Sequence, residues 1–334
     1  MKIHTMAALS PGADLIPWSM ECPTLGPFEC LVKVESCGLC YSDVHMIDND
    51  WRSSRYPLVP GHEAIGIIAD GGPQVGRFKP GDRVGIGWQR TSCLSCRDCL
   101  RGNENLCAQA SALIADGYGG FADHLIIDSR FCFPLPENLN VERAGPLLCG
   151  GITVYAALRY AGMASGQNIG VIGLGGLGHL AIQFAAKLGN RVIAFTTSEA
   201  KRTDALSLGA TEVIVMKEGR PITRPSQPLD IVIVTVPYSF AWNKLLALLA
   251  TDGTLTFAAT PPENLTIDVD RLLSHRRRIM ASPTAGRAMI EETLSLAARY
   301  QILPVIQTFL LSQVNEAIRQ LRANRIRYRA VIRL

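Results

Sequence analysis

Hydrophobic and polar residues follow two different rhythms along the chain, and the change falls near residue 145. Before it, short apolar runs (residues 31–34, 64–69, 83–86 and 125–127) stand between clusters of Gly, Pro and Asp. The runs predict strands and the breakers predict turns and long loops, so this part reads as an irregular, mostly β domain. After residue 145, strand-length apolar runs alternate with segments of helical period. Strands are expected over residues 168–172, 191–196, 212–215, 231–236 and 254–258. Helices are expected over 179–188, closed by Gly189; from an N-cap at Ser198 to just before Gly209; and around 245–250. Such alternation implies a parallel, doubly wound sheet. In the tail, Ile326, Tyr328, Ala330, Ile332 and Leu334 alternate with Arg327, Arg329, Val331 and Arg333. That two-residue period suits an antiparallel sheet, so the last segment is expected to return to the first domain.

Composition narrows the picture. With 334 residues the chain is long enough for two domains, and 48% hydrophobic against 19% charged residues excludes disorder. A net charge of +4 is too small for a dedicated nucleic-acid binder, so Arg276, Arg277, Arg278 and the Arg-rich tail read as solvated faces with one or two cofactor contacts. No apolar run approaches a membrane span, and Ser10 and Pro11 interrupt any signal-peptide core. A cytoplasmic protein without a membrane or nucleic-acid partner is expected. In a reducing compartment ten cysteines need a reason other than disulfides, and six histidines accompany them.

The reason for four of them is visible in Cys93, Cys96, Cys99 and Cys107, spaced by two, two and seven residues. Four thiolates so close together need a cation, and four sulfurs complete the tetrahedral shell of a structural Zn²⁺. An iron–sulfur spacing would place the fourth Cys three residues on and follow it with Pro, whereas Ala108 follows here. A second signal is Gly173-Leu174-Gly175-Gly176-Leu177-Gly178, directly after an expected strand and opening an expected helix. In that context Gly173 makes the tight turn, Gly175 admits a pyrophosphate and Gly178 allows helix and strand to pack closely. The second strand ends in Thr196, Thr197 and Ser198 with no carboxylate, and Lys201 and Arg202 follow. Hydroxyls and a lysine favour the 2′-phosphate of NADP(H), with Glu199 as the NAD alternative. A third, dispersed signal lies in three segments, Cys37-Gly38-Leu39-Cys40-Tyr41-Ser42-Asp43, Gly61-His62-Glu63 and Pro146-Leu147-Leu148-Cys149-Gly150-Gly151, which together could supply the two Cys and one His of an open catalytic zinc site.

Taken with YPLVPGHE, GIGW, PLLCGGITVY and the RYRAVIRL ending, these residues give a chain that resembles, along essentially its whole length, the zinc-dependent medium-chain alcohol dehydrogenases. More narrowly it is similar to their cinnamyl-alcohol-dehydrogenase-like branch, which includes bacterial NADPH-dependent broad-specificity aldehyde reductases. The resemblance implies that Cys40, His62 and Cys149 bind a catalytic zinc with Glu63 as an occasional ligand, giving two zinc ions per chain. It implies that Asp43 orients His62, that Ser42 stands beside the reacting oxygen and that His45 passes its proton to solvent. It adds Thr153 and Arg329 to the cofactor contacts. Cys22, Cys30, Cys37 and Cys132 match no ligand position and are read as packing residues.

The expected fold is α/β: a GroES-like β-rich catalytic domain over residues 1–145 with a zinc lobe at 93–107, a Rossmann NADP-binding domain over 146–280, and residues 281–334 returning to the first. The active site is expected in the cleft between domains. The expected reaction is reversible hydride transfer between NADPH and an aldehyde or alcohol, in a homodimer or homotetramer. Trp51 and Trp88 are candidates for the wall of an aromatic or long aliphatic substrate pocket. The alternatives are an NAD-dependent primary alcohol dehydrogenase and a catalytically silent NADPH-binding sensor.

Overall fold

The computed structural model describes residues 1–217 and 220–334. The chain divides into two units, Met1–Cys149 with Ala285–Leu334, and Gly150–Thr284. Both boundaries lie four residues past the expected ones, so Cys149 is carried by the first unit.

The first unit is built on a seven-stranded sheet whose centre is the long strand Glu29–Leu39. Antiparallel neighbours Ala64–Gly71 and His124–Asp128 pair with it, and so does the tail strand Arg329–Arg333. The remaining strands are Arg83–Ile86, Cys132–Pro134 and Ile306–Leu310. The last of these lies parallel to Arg329–Arg333. The sheet's apolar face, including Val32, Ile68, Ile86, Ile127 and Ile332, forms the main core of the unit. Cys30, Cys37 and Cys132 are buried and Cys22 is half-buried. A small ladder of Gln89–Thr91 with Ser111–Ala112 flanks the cysteine lobe.

The tail departs from its expected solvated face. Its strand contributes to a sheet covered on both sides, so Arg329 and Val331 are buried along with Ala330 and Ile332. A buried strand shows little alternation of burial, and two-residue alternation in sequence does not by itself prove a wet face.

The second unit is a six-stranded, all-parallel sheet. In spatial order its strands are Glu212–Val215, Arg191–Thr196, Asn168–Ile172, Leu229–Val234, Leu249–Phe257 and Arg278–Ala281. Counted along the chain this is 3-2-1-4-5-6, the order of dinucleotide-binding sheets. Two local expectations are corrected. Ser198 holds the N-cap position with extended backbone, but its side chain caps nothing; its own N–H donates to Thr196 Oγ1 at 3.2 Å. A 3₁₀ turn, Glu199–Lys201, comes next and leads into the helix Arg202–Ser207. The helix expected around 245–250 is Trp242–Leu246, and Leu249 already pairs with Leu229 as a strand. A run of Leu and Ala is apolar in either conformation, so tertiary pairing decides it.

Candidate active site and cofactor loop

Strand register assembles the first site. Cys37 pairs with Ala64 and Leu39 with Ala330. Cys40, one residue beyond the first strand, therefore lies beside His62 and Glu63, which immediately precede the second. Arg329, just before Ala330, arrives from the other side. Cys149 follows the 3₁₀ turn Gly145–Leu148. One ligand atom from each of Cys40, His62, Glu63 and Cys149 lies within 4.8 Å of all the others. The two sulfurs are 3.8 Å apart.

Cys40 is the N-cap of the helix Tyr41–Asp48, whose first turn carries Ser42 and Asp43. Asp43 is fully buried and is the hub of the site. One of its oxygens accepts from Gly61 N–H and from His62 Nδ1, both at 2.9 Å; the other accepts from Cys40 N–H at 2.8 Å. A carboxylate only accepts, so Nδ1 must carry the His62 proton. In the neutral ring Nε2 then has a free lone pair, and it finds no hydrogen-bond partner among the described residues. A buried imidazole nitrogen facing two thiols and a carboxylate is the donor set of a zinc site, and Asp43 supplies the outer hydrogen bond that orients such a ligand.

The electrostatics agree. The Cys40 thiol is held well below its ordinary range, chiefly because Cys149 donates a hydrogen bond to its thiolate, with help from Arg329 and His62 against the cost of burial. Cys149 is correspondingly pushed up by that hydrogen bond and by burial. Burial opposes charge on His62, yet Asp43 and the Cys40 thiolate raise its pKa, so the site favours a positive charge at Nε2, and a bound Zn²⁺ would take the place of a proton there. Burial raises Glu63 and Arg329 pulls it back. The Glu63 carboxylate pairs with the buried Arg329 guanidinium. Its other oxygen lies over Gly38, where a Cβ would come within 1.9 Å. Glycine is therefore required at position 38.

Sequence reasoning missed the Glu63–Arg329 pair, whose members are 266 positions apart. Arg329, expected among the cofactor contacts, pairs with Glu63 inside the first unit. It also missed Asp50. His45, on the outer turn of the helix, meets Asp50 at 2.6 Å through Nδ1. The presence of Asp five residues after His45 was the available signal. Trp88 stands edge-on to His62 with ring centroids 5.1 Å apart, and Trp51 packs on both Trp88 and His45.

The four lobe cysteines form the second candidate metal cluster. Backbone N–H groups of Ser95 and Cys96 bring the Cys93 thiol down to about 6, a ready thiolate. Four sulfurs with no other donor fit a closed structural zinc.

In the second unit the glycine-rich loop leaves the strand Asn168–Ile172 and enters the helix Gly178–Lys187. Gly173 has φ +97°, and a Cβ there would strike Val236 at 2.3 Å. A Cβ on Gly178 would come within 2.0 Å of the Gly173 carbonyl, whereas one on Gly175 would meet nothing within 4 Å. Gly175 thus fronts open space, as a loop that admits a pyrophosphate needs. Gly176 and Leu177 border Gly150, at the start of the helix Gly150–Tyr160 that carries the half-buried Thr153. Lys201 Nζ donates to the Leu174 carbonyl at 2.8 Å, placing its charge at the loop. Thr196 is buried, and Thr197 is exposed beside it. Glu199 is neutralised by an ion pair with Arg202.

Comparison with known proteins agrees with this geometry. Residues 26–137 match the alcohol dehydrogenase GroES-like domain family, and residues 176–299 match the zinc-binding dehydrogenase family. The aldehyde reductase AdhA of Synechocystis is 38% identical over 99% of this chain and 98% of its own length. A cinnamyl alcohol dehydrogenase of Sorghum bicolor superposes with a TM-score of 0.92 at 33% identity, over 100% of this chain and 98% of that one. A cinnamyl alcohol dehydrogenase of Helicobacter pylori, solved with NADP(H), gives 0.90 at 28% identity over 100% and 98%. The chain belongs to the zinc-binding medium-chain alcohol dehydrogenase family, in its cinnamyl-alcohol-dehydrogenase-like branch, and is an alcohol/aldehyde oxidoreductase.

Proposed function

We propose that the protein reduces aldehydes with NADPH, reversibly, at a zinc held by Cys40, His62 and Cys149. The observation that carries this reading is the lone pair of His62 Nε2, buried without a partner and facing two thiols and a carboxylate. Zn²⁺ bound there supplies Lewis-acid polarisation of the carbonyl, and the nicotinamide supplies the hydride.

The protein's own residues do the rest. Asp43 fixes the His62 tautomer. Ser42, whose hydroxyl is 3.8 Å from the Cys40 sulfur, gives a proton to the substrate oxygen as charge develops on it. His45, part-exposed and bonded to Asp50, replenishes that proton from solvent. Glu63 is the reserve ligand, held off by Arg329. Trp51 and Trp88 offer aromatic surface to the substrate.

The cofactor is held by Gly173 to Gly178, and Thr153 is a further contact. The 2′-phosphate is taken by Thr196, Thr197, Ser198 and Lys201. Pairing of Glu199 with Arg202 supports NADPH over NADH, since a free carboxylate there would repel a phosphate. The Helicobacter relative's complex with NADP(H) supports the same choice.

The test is a panel of aldehydes and alcohols assayed with NADPH and NADH. Aldehyde reduction with NADPH preferred is expected; an enzyme that only oxidises alcohols with NAD refutes the proposal.

A further inference from the structure

Within the cysteine lobe lies a buried carboxylate that the chemistry does not use. Glu104 sits between the ligands Cys99 and Cys107, opens the short turn Glu104–Leu106 and is 3% exposed. Its backbone is tied to the metal cluster, because Cys107 N–H donates to the Glu104 carbonyl at 3.2 Å. Gln89 Nε2 donates to that same carbonyl at 2.7 Å.

The carboxylate points out of the lobe to a helix 183 positions further on. Arg287, the first residue of the helix Arg287–Tyr300, donates its N–H to Glu104 Oε2 at 3.1 Å and its Nε to Oε1 at 2.9 Å. The helix has no cap of its own, since its N-cap residue is Gly286. Glycine is required there: a Cβ would come within 1.9 Å of the Gly102 carbonyl and 2.4 Å of Glu104 Oε2. The Arg287 guanidinium also donates to the Arg130 carbonyl at 3.3 Å and lies 5.5 Å from the centre of the Phe131 ring. A helix start leaves four N–H groups unsatisfied and carries partial positive charge, and a buried carboxylate answers both.

We propose that Glu104 makes metal occupancy of the lobe a condition for an ordered first turn of the helix Arg287–Tyr300. The four sulfurs around one cation fix the backbone on either side of Glu104. That backbone aims the carboxylate at Arg287. With the cation lost, nothing holds the four sulfurs together, the turn loosens and the helix start loses its cap. The lobe then acts as a clamp on the segment that begins at Ala285, rather than as a self-contained knot. Coupling of this kind is reciprocal, so loss of the carboxylate must also weaken metal retention by the lobe.

Hydrogen–deuterium exchange on the zinc-loaded protein tests this with four versions: wild type, Cys99→Ser, Glu104→Ala and the double variant. The reporter is a peptide covering the first turn of Arg287–Tyr300, and the helix Gly178–Lys187 is the control. Each single variant is expected to speed exchange in the reporter about tenfold, and the double no more than about twofold beyond either, while the control holds. Zinc release from the lobe of Glu104→Ala, followed with a colorimetric chelator, should be about fivefold faster than from wild type. Should either single variant fail to fold, chelator-treated wild type and Glu104→Gln take their places. Unchanged reporter exchange after loss of the lobe zinc overturns the proposal, as do multiplicative effects in the double variant. Metal analysis of the wild type separates this from the reading beneath it: one zinc per fully active chain would show that the lobe holds none.

Discussion

In the proposed reaction, Ser42 is the residue on which the proton chemistry turns. Its hydroxyl is needed only as the substrate oxygen acquires its proton, so Ser42→Ala should lower kcat about 10²–10⁴-fold while NADPH still binds. Stopped-flow fluorescence for binding and steady-state rates for kcat check the two halves separately. His45→Ala should cost less, because water can replace the outer member of a relay. Asp50→Asn should act in the same direction, since it removes the carboxylate that fixes the His45 ring. Near-wild-type turnover in Ser42→Ala would show the relay to be misassigned. Cofactor choice also lives at this scale. Charge-assisted hydrogen bonds to a 2′-phosphate contribute about 1.5–3 kcal/mol each, so kcat/KM with NADPH should exceed that with NADH by more than about tenfold. Thr196→Asp with Lys201→Ala should erase or invert the ratio and leave the zinc content unchanged. The wild-type preference should shrink as salt rises, because part-exposed charge on Lys201 is screened.

Single elements carry the site's framework. The tail strand Arg329–Arg333 delivers a guanidinium to a carboxylate on another strand's doorstep, and both groups are buried. Breaking a buried pair by removing one partner leaves an uncompensated charge and costs about 3–5 kcal/mol. Arg329→Leu should therefore unfold at much lower denaturant, whereas Arg329→Leu with Glu63→Leu should recover part of the loss. Equal midpoints for the single and double variants would refute the pairing. The long strand Glu29–Leu39 and its neighbours also bury thiols. Burial, with Asp128 and Asp70 nearby, pushes the Cys30 thiol up to about 11, and burial raises Cys37 and Cys132 as well. All three are thus protonated at pH 8, and iodoacetamide should label them only after denaturation. Their folded pKa values lie above the unfolded ones. The stability they contribute is complete below the ordinary thiol range and is lost as pH climbs through about 11 for Cys30. Mass spectrometry of peptides after a native alkylation pulse settles the point.

Across the whole molecule, two metal clusters of different chemistry make one prediction. The four-sulfur lobe has a closed shell, whereas a site of two Cys and one His must exchange its fourth ligand to work. Elemental analysis should find two zinc ions per chain. A mild chelator should abolish activity before it lowers the thermal unfolding temperature, and one zinc in a fully active chain would end this reading. Cys40→Ser should chiefly lower turnover; Cys99→Ser should chiefly lower stability.

The chemistry legible in the sequence was local. Cys93, Cys96, Cys99 and Cys107 lie within 15 residues, and the loop from Gly173 to Gly178 within six, so short-range spacing alone brings their donors together. The parallel sheet was legible for a related reason, since its central strands are mostly apolar and glycines punctuate the turns. The dispersed set Cys40, His62 and Cys149 needed a family resemblance to be read as one site, because nothing local joins residues so far apart. Other features had no local trace. Register between Glu29–Leu39 and its neighbours decides that Cys40, His62 and Arg329 meet. Gly38 matters only because the Glu63 carboxylate lies on it, and Glu104 only because a distant helix starts against it. Propensity and periodicity describe how a segment folds on itself. Which buried charges become partners depends on long-range pairing, and only the tertiary structure decides that.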